Sequence, residues 1–137
     1  MFNYDEFKQD LKNNNAYISH DSTDSSGIKN LAVPFGMVRD NRPIIVSFAF
    51  DRGNTCVLIM AGVELKRVTP SLTQIIERVN SVGAQEIEPM QLVIKDNRLL
   101  CTRIIKNDGR YNSLHIGPLA TQQTDVIEEI FNKIRDI

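Results

Sequence analysis

The sequence contains two histidines and two cysteines, the residue types that most often bind zinc or form a nucleophilic pair: His20, Cys56, Cys101 and His115. Neither histidine has a neighbour at the spacings typical of zinc sites, such as H-x-x-x-H or C-x-x-C. A zinc site would need all four residues to converge from distant parts of the chain. We therefore expect no metal and no cofactor.

The two cysteines each lie inside an apolar run, which is typical of small buried side chains in a reducing compartment. A nucleophilic pair is the alternative interpretation, because neighbouring strands could bring Cys101 close to His115. The chain would then be a small enzyme or a ligand-binding domain. His115, within "SLHIG", is more simply a residue on the polar face of a strand.

Glycine and charge patterns provide no further site. The glycines are scattered and form neither G-x-x-x-x-G-K nor G-x-G-x-x-G, so these routes to nucleotide binding are excluded. A basic group, Arg98, Arg103, Lys106 and Arg110, has no stacking aromatic before Tyr111, which argues against an RNA platform. We interpret it as a charged sheet edge that discourages aggregation.

Composition indicates an ordinary globular chain. Its 137 residues are 42% hydrophobic and 24% charged, and the net charge is −1, which provides no field to attract nucleic acid or anionic lipid. The first residues are acidic where a signal peptide would be basic, and no apolar run approaches the roughly 18 residues of a membrane span. We expect one cytoplasmic α+β domain over residues 1–137, bound neither to nucleic acid nor to a membrane.

The first half of the chain predicts one helix and three strands. "NYDEFKQDLKN" has an Asn3–Glu6 capping box and an apolar stripe of Tyr4, Phe7 and Leu11. The polar segment 20–27 has the composition of a loop. Three apolar runs separated by "DNRP" and "DRGN" then predict an antiparallel meander, with the third strand central because it is apolar on both faces. These runs are 31–39, 44–50 and 55–63.

The second half predicts a helix, a hairpin and a terminal helix. Thr69 and Pro70 begin a helix over 70–82 that Gly83 ends. Strands over 88–95 and 98–106 flank an Asp-Asn turn, and a further strand is possible over 110–116. "TQQTDVIEEIFNKIRDI" predicts the last helix, over 122–137, with a wide apolar stripe.

The predicted fold is therefore α+β, an antiparallel sheet of five or six strands with three helices in the order α-β-β-β-α-β-β(-β)-α. This order resembles the type III secretion chaperone-like fold shared with the YbjN family of regulators. The helix ending in "RVNSVG", the hairpin "LVIKDNRLLC" and the helix after "GPLA" carry the resemblance. It implies a non-enzymatic protein, often a homodimer, that presents sheet or helix faces to another polypeptide.

Apolar surface completes the functional prediction. The strands over 44–63 are more apolar than three short helices can cover, so we expect a protein or peptide partner or a second copy of the chain. We predict a chaperone-like protein-binding or regulatory module that forms a homodimer. The alternatives are the Cys101–His115 enzyme and an immunity-type or phage-type inhibitor. The predicted contact surface comprises the strands over 44–63 and the helices over 70–82 and 122–137. The predicted contact residues are Phe48, Phe50, Leu58, Met60, Ile130 and Phe131.

Overall fold

The computed structural model describes residues 1–137 and contains three helices and six strands. The helices are α1 (Tyr4–Asn13), α2 (Pro70–Gly83) and α3 (Ser113–Lys133). The strands are β1 (His20–Thr23), β2 (Lys29–Met37), β3 (Pro43–Phe50), β4 (Cys56–Glu64), β5 (Gln91–Lys95) and β6 (Arg98–Lys106). The predicted α+β class, with three helices and an antiparallel sheet, is confirmed.

The six strands form one sheet in the order β1-β2-β3-β4-β6-β5, and every neighbouring pair is antiparallel. Strand β4 lies at the centre, as its two-sided apolar pattern predicted. Its register places Ile59 opposite Phe48 of β3 on one side and opposite Arg103 of β6 on the other. A continuous row of side chains therefore crosses three strands.

The sixth strand is not where the sequence predicted it. Strand β1 occupies the first half of the segment predicted as a loop and pairs with β2 along the edge of the sheet. Its side chains are polar because an edge strand needs no apolar face on its solvent side. Asp21 accepts hydrogen bonds from Tyr4 and Lys8 of α1, so a tertiary contact holds this polar strand in place.

The strand predicted over 110–116 is wrong, since α3 already begins at Ser113. Asn112 caps the helix by accepting a hydrogen bond from the Leu114 amide at 2.9 Å. Its own amide donates to Nδ1 of His115 at 3.0 Å, which completes a capping box. Pro118 removes one helical hydrogen bond, and the burial of Ile116, Leu119 and Ala120 offsets that loss.

The core lies between one face of the sheet and the three helices. A cluster of 28 buried residues fills it, and Phe7 of α1 packs on Phe48 of β3 with their rings 4.6 Å apart. Tyr4, Phe7 and Leu11, the stripe predicted for α1, are all buried there. Helix α3 crosses the same face and contacts β2, β4 and β6.

Helix α2 lies beside the β5 edge of the sheet. The Thr69 hydroxyl caps its first turn, as predicted, and Leu72 is its one fully buried residue. Near its end, the Asn80 side-chain amide donates to the Leu92 carbonyl at 2.9 Å and accepts from the Leu92 amide at 2.8 Å. Asn80 thus takes both backbone hydrogen bonds that Leu92 would offer to another strand, which blocks the edge there.

Candidate functional site

No helix packs on the second face of the sheet, which we call the open face. Alternation along the strands sends Val46, Ile59 and Cys101 towards the helices and their neighbours to the opposite side. The apolar residues that share the open face in register are Ile45, Ala49, Leu58, Met60, Val93, Leu100 and Ile104. None of them belongs to the core cluster or packs against it.

The open face leaves large apolar side chains in contact with solvent. Ile104 is 58% exposed and Val93 is 45% exposed, whereas Leu58 and Met60 are half-buried. Leu100 is buried by its neighbours on the face, and a Cβ at Gly62 would lie 2.8 Å from it. Contiguous apolar surface of this kind is typical of interaction sites.

A concavity of about 640 Å³ lies at one end of the open face. Leu58 and Ile104 form its apolar floor, and the segment between α2 and β5 forms a wall that includes Ile87, which is 86% exposed. Lys106 and Arg110 add charge to its rim. The shape and lining suit a large apolar side chain with an anionic group nearby.

The unpaired charges of the open face are mostly positive. Lys95, Arg98 and Lys106 take part in none of the six ion pairs of the structure. The Arg98 guanidinium lies across the face beside Gly62. By contrast, Arg110 on the rim of the concavity forms ion pairs with two carboxylates.

The rim carboxylates are Glu88 and Asp108, and Arg110 forms an ion pair with each. The hydrogen bond from Arg110 lowers the pKa of Asp108 below its ordinary value. Both acidic groups are therefore engaged within the chain, while the strand cations remain available to a partner.

The six predicted contact residues lie in two different environments, the open face and the core. Leu58 and Met60 lie on the open face, as a contact surface requires. The other four are 0–3% exposed in the core, where they are inaccessible to a partner: Phe48, Phe50, Ile130 and Phe131. That part of the prediction is corrected, because Phe48 and Phe50 alternate onto the face that α1 and α3 already cover. Ile130 and Phe131 are buried residues of α3 itself.

A buried polar group that the sequence analysis missed lies between β6 and α3. Arg103, predicted as part of a charged edge, is only 7% exposed and donates to Gln123 at 3.3 Å, to Gln122 at 3.1 Å and to the Leu119 carbonyl. Burial lowers its pKa, although an arginine stays charged at neutral pH. Alternation from Leu99 through Arg103 was the signal that places it on the core face.

Cys101 and His115 are not brought together. The Cys101 carbonyl accepts a hydrogen bond from Gln123 of α3 at 2.8 Å. His115 lies on the same helix, eight residues before Gln123, which separates the two by about 12 Å along the helix axis. Burial raises the pKa of the Cys101 thiol to about 12, so the nucleophilic thiolate is scarce near neutrality. The His115 ring is used as a helix cap and lies against Tyr111.

Thiol labelling tests this placement. At about pH 8 the half-exposed Cys56 is expected to react with a thiol reagent in the folded protein, while the fully buried Cys101 stays unmodified until denaturant is added. Mass spectrometry after timed quenching measures both sites. Rapid labelling of Cys101 in a folded Cys56→Ser variant would contradict the assignment.

Further site types receive no support from the geometry. No group of three or more His, Cys, Asp or Glu side chains is arranged to hold a metal ion. None of the three helices combines the length and apolar character needed to cross a membrane.

Comparison with known proteins provides one likeness. No family model matches the chain, and no curated protein matches it either. Among solved structures, the crystal structure of YbjN from E. coli, described as a "putative transcription regulator", is 14% identical with a TM-score of 0.48. The alignment covers 92% of this chain and 86% of that chain. This is the likeness that the element order predicted, and it concerns the fold alone.

Proposed function

We propose that this chain is a non-enzymatic protein-binding or regulatory module whose open face contacts another polypeptide. The observation that carries the proposal is that all three helices bury their apolar residues in the core on one side of the sheet, which leaves apolar side chains of β3, β4, β5 and β6 uncovered on the other. Covering Ile104 and Val93 removes apolar area from water, at roughly 25 cal/mol per Å².

The separation of Cys101 from His115 supports the non-enzymatic part of the proposal. Each residue already has a structural role, one in the core and the other in a helix cap. The predicted homodimer remains a prediction, and light scattering of the purified protein would measure the oligomeric state.

An affinity experiment with paired variants tests the proposal. Tagged wild type, Ile104→Asp and Val82→Asp are used to capture proteins from lysate of the host cell, and the captured proteins are quantified by mass spectrometry. Val82 is the control, because it is 74% exposed on α2, a helix that contributes no residue to the open face or to its concavity. A partner retained by wild type and Val82→Asp, and lost with Ile104→Asp, is the expected result.

Equal capture by all three proteins would show that the open face is not the contact surface. Failure of wild type to retain any protein under the same conditions would also count against the proposal. Circular dichroism and denaturant unfolding of each variant establish that a lost partner does not reflect a lost fold.

A further inference from the structure

We infer that the occupant of the open face is an amphipathic helix of a partner protein with acidic residues at both ends. This inference rests on the proposed function and adds the chemistry of the partner. The strands contribute three basic residues and one acidic residue, Glu64, to the open face, a net charge of +2 on a chain whose overall charge is −1. Including Arg110 and its two carboxylate partners leaves the face at +1.

The positions of the cations set the length of the partner segment. Arg98 and Lys106 stand at the two ends of β6, eight residues apart, which is about 26 Å at the rise of a strand. Lys95 lies beside Arg98 across the β5–β6 pair. A helix spanning the same distance contains about 17 residues. Acidic side chains in its first and last turns would therefore reach the cations at both ends.

The middle of the face sets the apolar part of the partner. Between the two cationic ends lie Leu100 and Ile104 of β6, with Leu58 of β4 directly opposite Ile104. Strands β3, β4, β6 and β5 lie side by side and make this apolar zone about 14 Å wide. A helix with a diameter of roughly 10 Å fits within that width. One large side chain of the helix would enter the concavity floored by Leu58 and Ile104.

Three other occupants fit less well. A second copy of the chain, packed face to face, would oppose cations to cations with only Glu64 to compensate. Single-stranded RNA requires stacking aromatics, and the open face has no aromatic side chain. An added strand would extend the sheet at an edge and leave the open face uncovered, and at the β5 edge Asn80 already bonds the backbone N–H and C=O of Leu92.

Two designed peptides test the inference directly. Each has about 18 residues, with leucines along one helical stripe and alanine elsewhere; one carries glutamates in its first and last turns, and the other carries lysines at the same positions. Circular dichroism verifies that both are equally helical. Calorimetry at low salt is expected to show at least about tenfold tighter binding of the glutamate peptide, with a difference that shrinks at high salt.

Charge reversal of the face provides the matched variant. The triple change Lys95→Glu, Arg98→Glu and Lys106→Glu is expected to invert the preference, so that the lysine peptide binds more tightly. Arg135→Glu, an exposed cation outside the open face and outside every ion pair, should leave the preference of wild type unchanged. All four substituted side chains are exposed, so the fold should be retained.

The outcomes separate this inference from the proposed function. Equal binding of both peptides, abolished by Ile104→Asp, would overturn the acidic partner and leave the open face as a contact surface. Absence of binding by either peptide, or tighter binding of a single-stranded RNA of 18 nucleotides than of the glutamate peptide, would also overturn the inference. The proposed function itself fails only through the capture experiment.

Discussion

Gln123→Ala is expected to lower the free energy of unfolding by about 3 kcal/mol, one of the two largest effects of a single substitution proposed for this chain. Gln123 is fully buried, and its amide nitrogen donates to the Ile59 carbonyl at 2.9 Å and to the Cys101 carbonyl at 2.8 Å. Its oxygen accepts from Arg103. Alanine would leave two sheet carbonyls without this donor and a buried cation with one acceptor fewer.

The preceding residue provides the control. Gln122 is of the same type and also accepts from Arg103, but it is exposed, so water can replace it, and Gln122→Ala should cost less than about 1 kcal/mol. Urea unfolding followed by circular dichroism measures both variants. Similar losses for the two glutamines would mean that the buried network does not hold α3 on the sheet.

Phe48→Ala is expected to lower the free energy of unfolding by about 4 kcal/mol, because it opens a cavity beside the rings of Phe7 and Phe35. Phe48 is fully buried and packs on Phe7 and Phe35, with ring centroids 4.6 Å and 5.9 Å apart. The same residue was predicted from sequence to contact a partner. A stability loss within the isolated chain would confirm its structural role.

Met60 provides a control from the opposite face of the same sheet. It is half-buried on the open face, so Met60→Ala should cost less than about 1 kcal/mol. Phe48→Leu, which leaves a smaller cavity, keeps the comparison measurable if Phe48→Ala does not fold. Equal costs at Phe48 and Met60 would indicate that the two faces are equally covered, contrary to the open face described above.

Local chemistry accounts for the parts of the fold that were predicted correctly. The Asn3 and Thr69 caps accept hydrogen bonds from Glu6 and Leu72, residues close to them in sequence. Such interactions need no distant partner. The central position of β4 was likewise predictable, because a strand apolar on both sides is suited to the middle of a sheet.

The mistakes arose where distant contacts overrode local pattern. Strand β1 is polar and is held by pairing with β2 and by the bonds of Asp21 to α1. The last helix was predicted over 122–137, yet α3 begins at Ser113 and continues through Pro118 because Ile116, Leu119 and Ala120 are buried. Neither contact can be found from a short window of sequence.

The sequence by itself determined the α+β class, the meander, the hairpin and most helix starts, because caps, turns and alternation act within a few residues. Alternation also determined which side chains share a face. The tertiary structure alone decided which face is covered, since this depends on where the three helices pack on the sheet. That choice buried Phe48 and Arg103, and it left Leu58, Met60 and Ile104 on the open face.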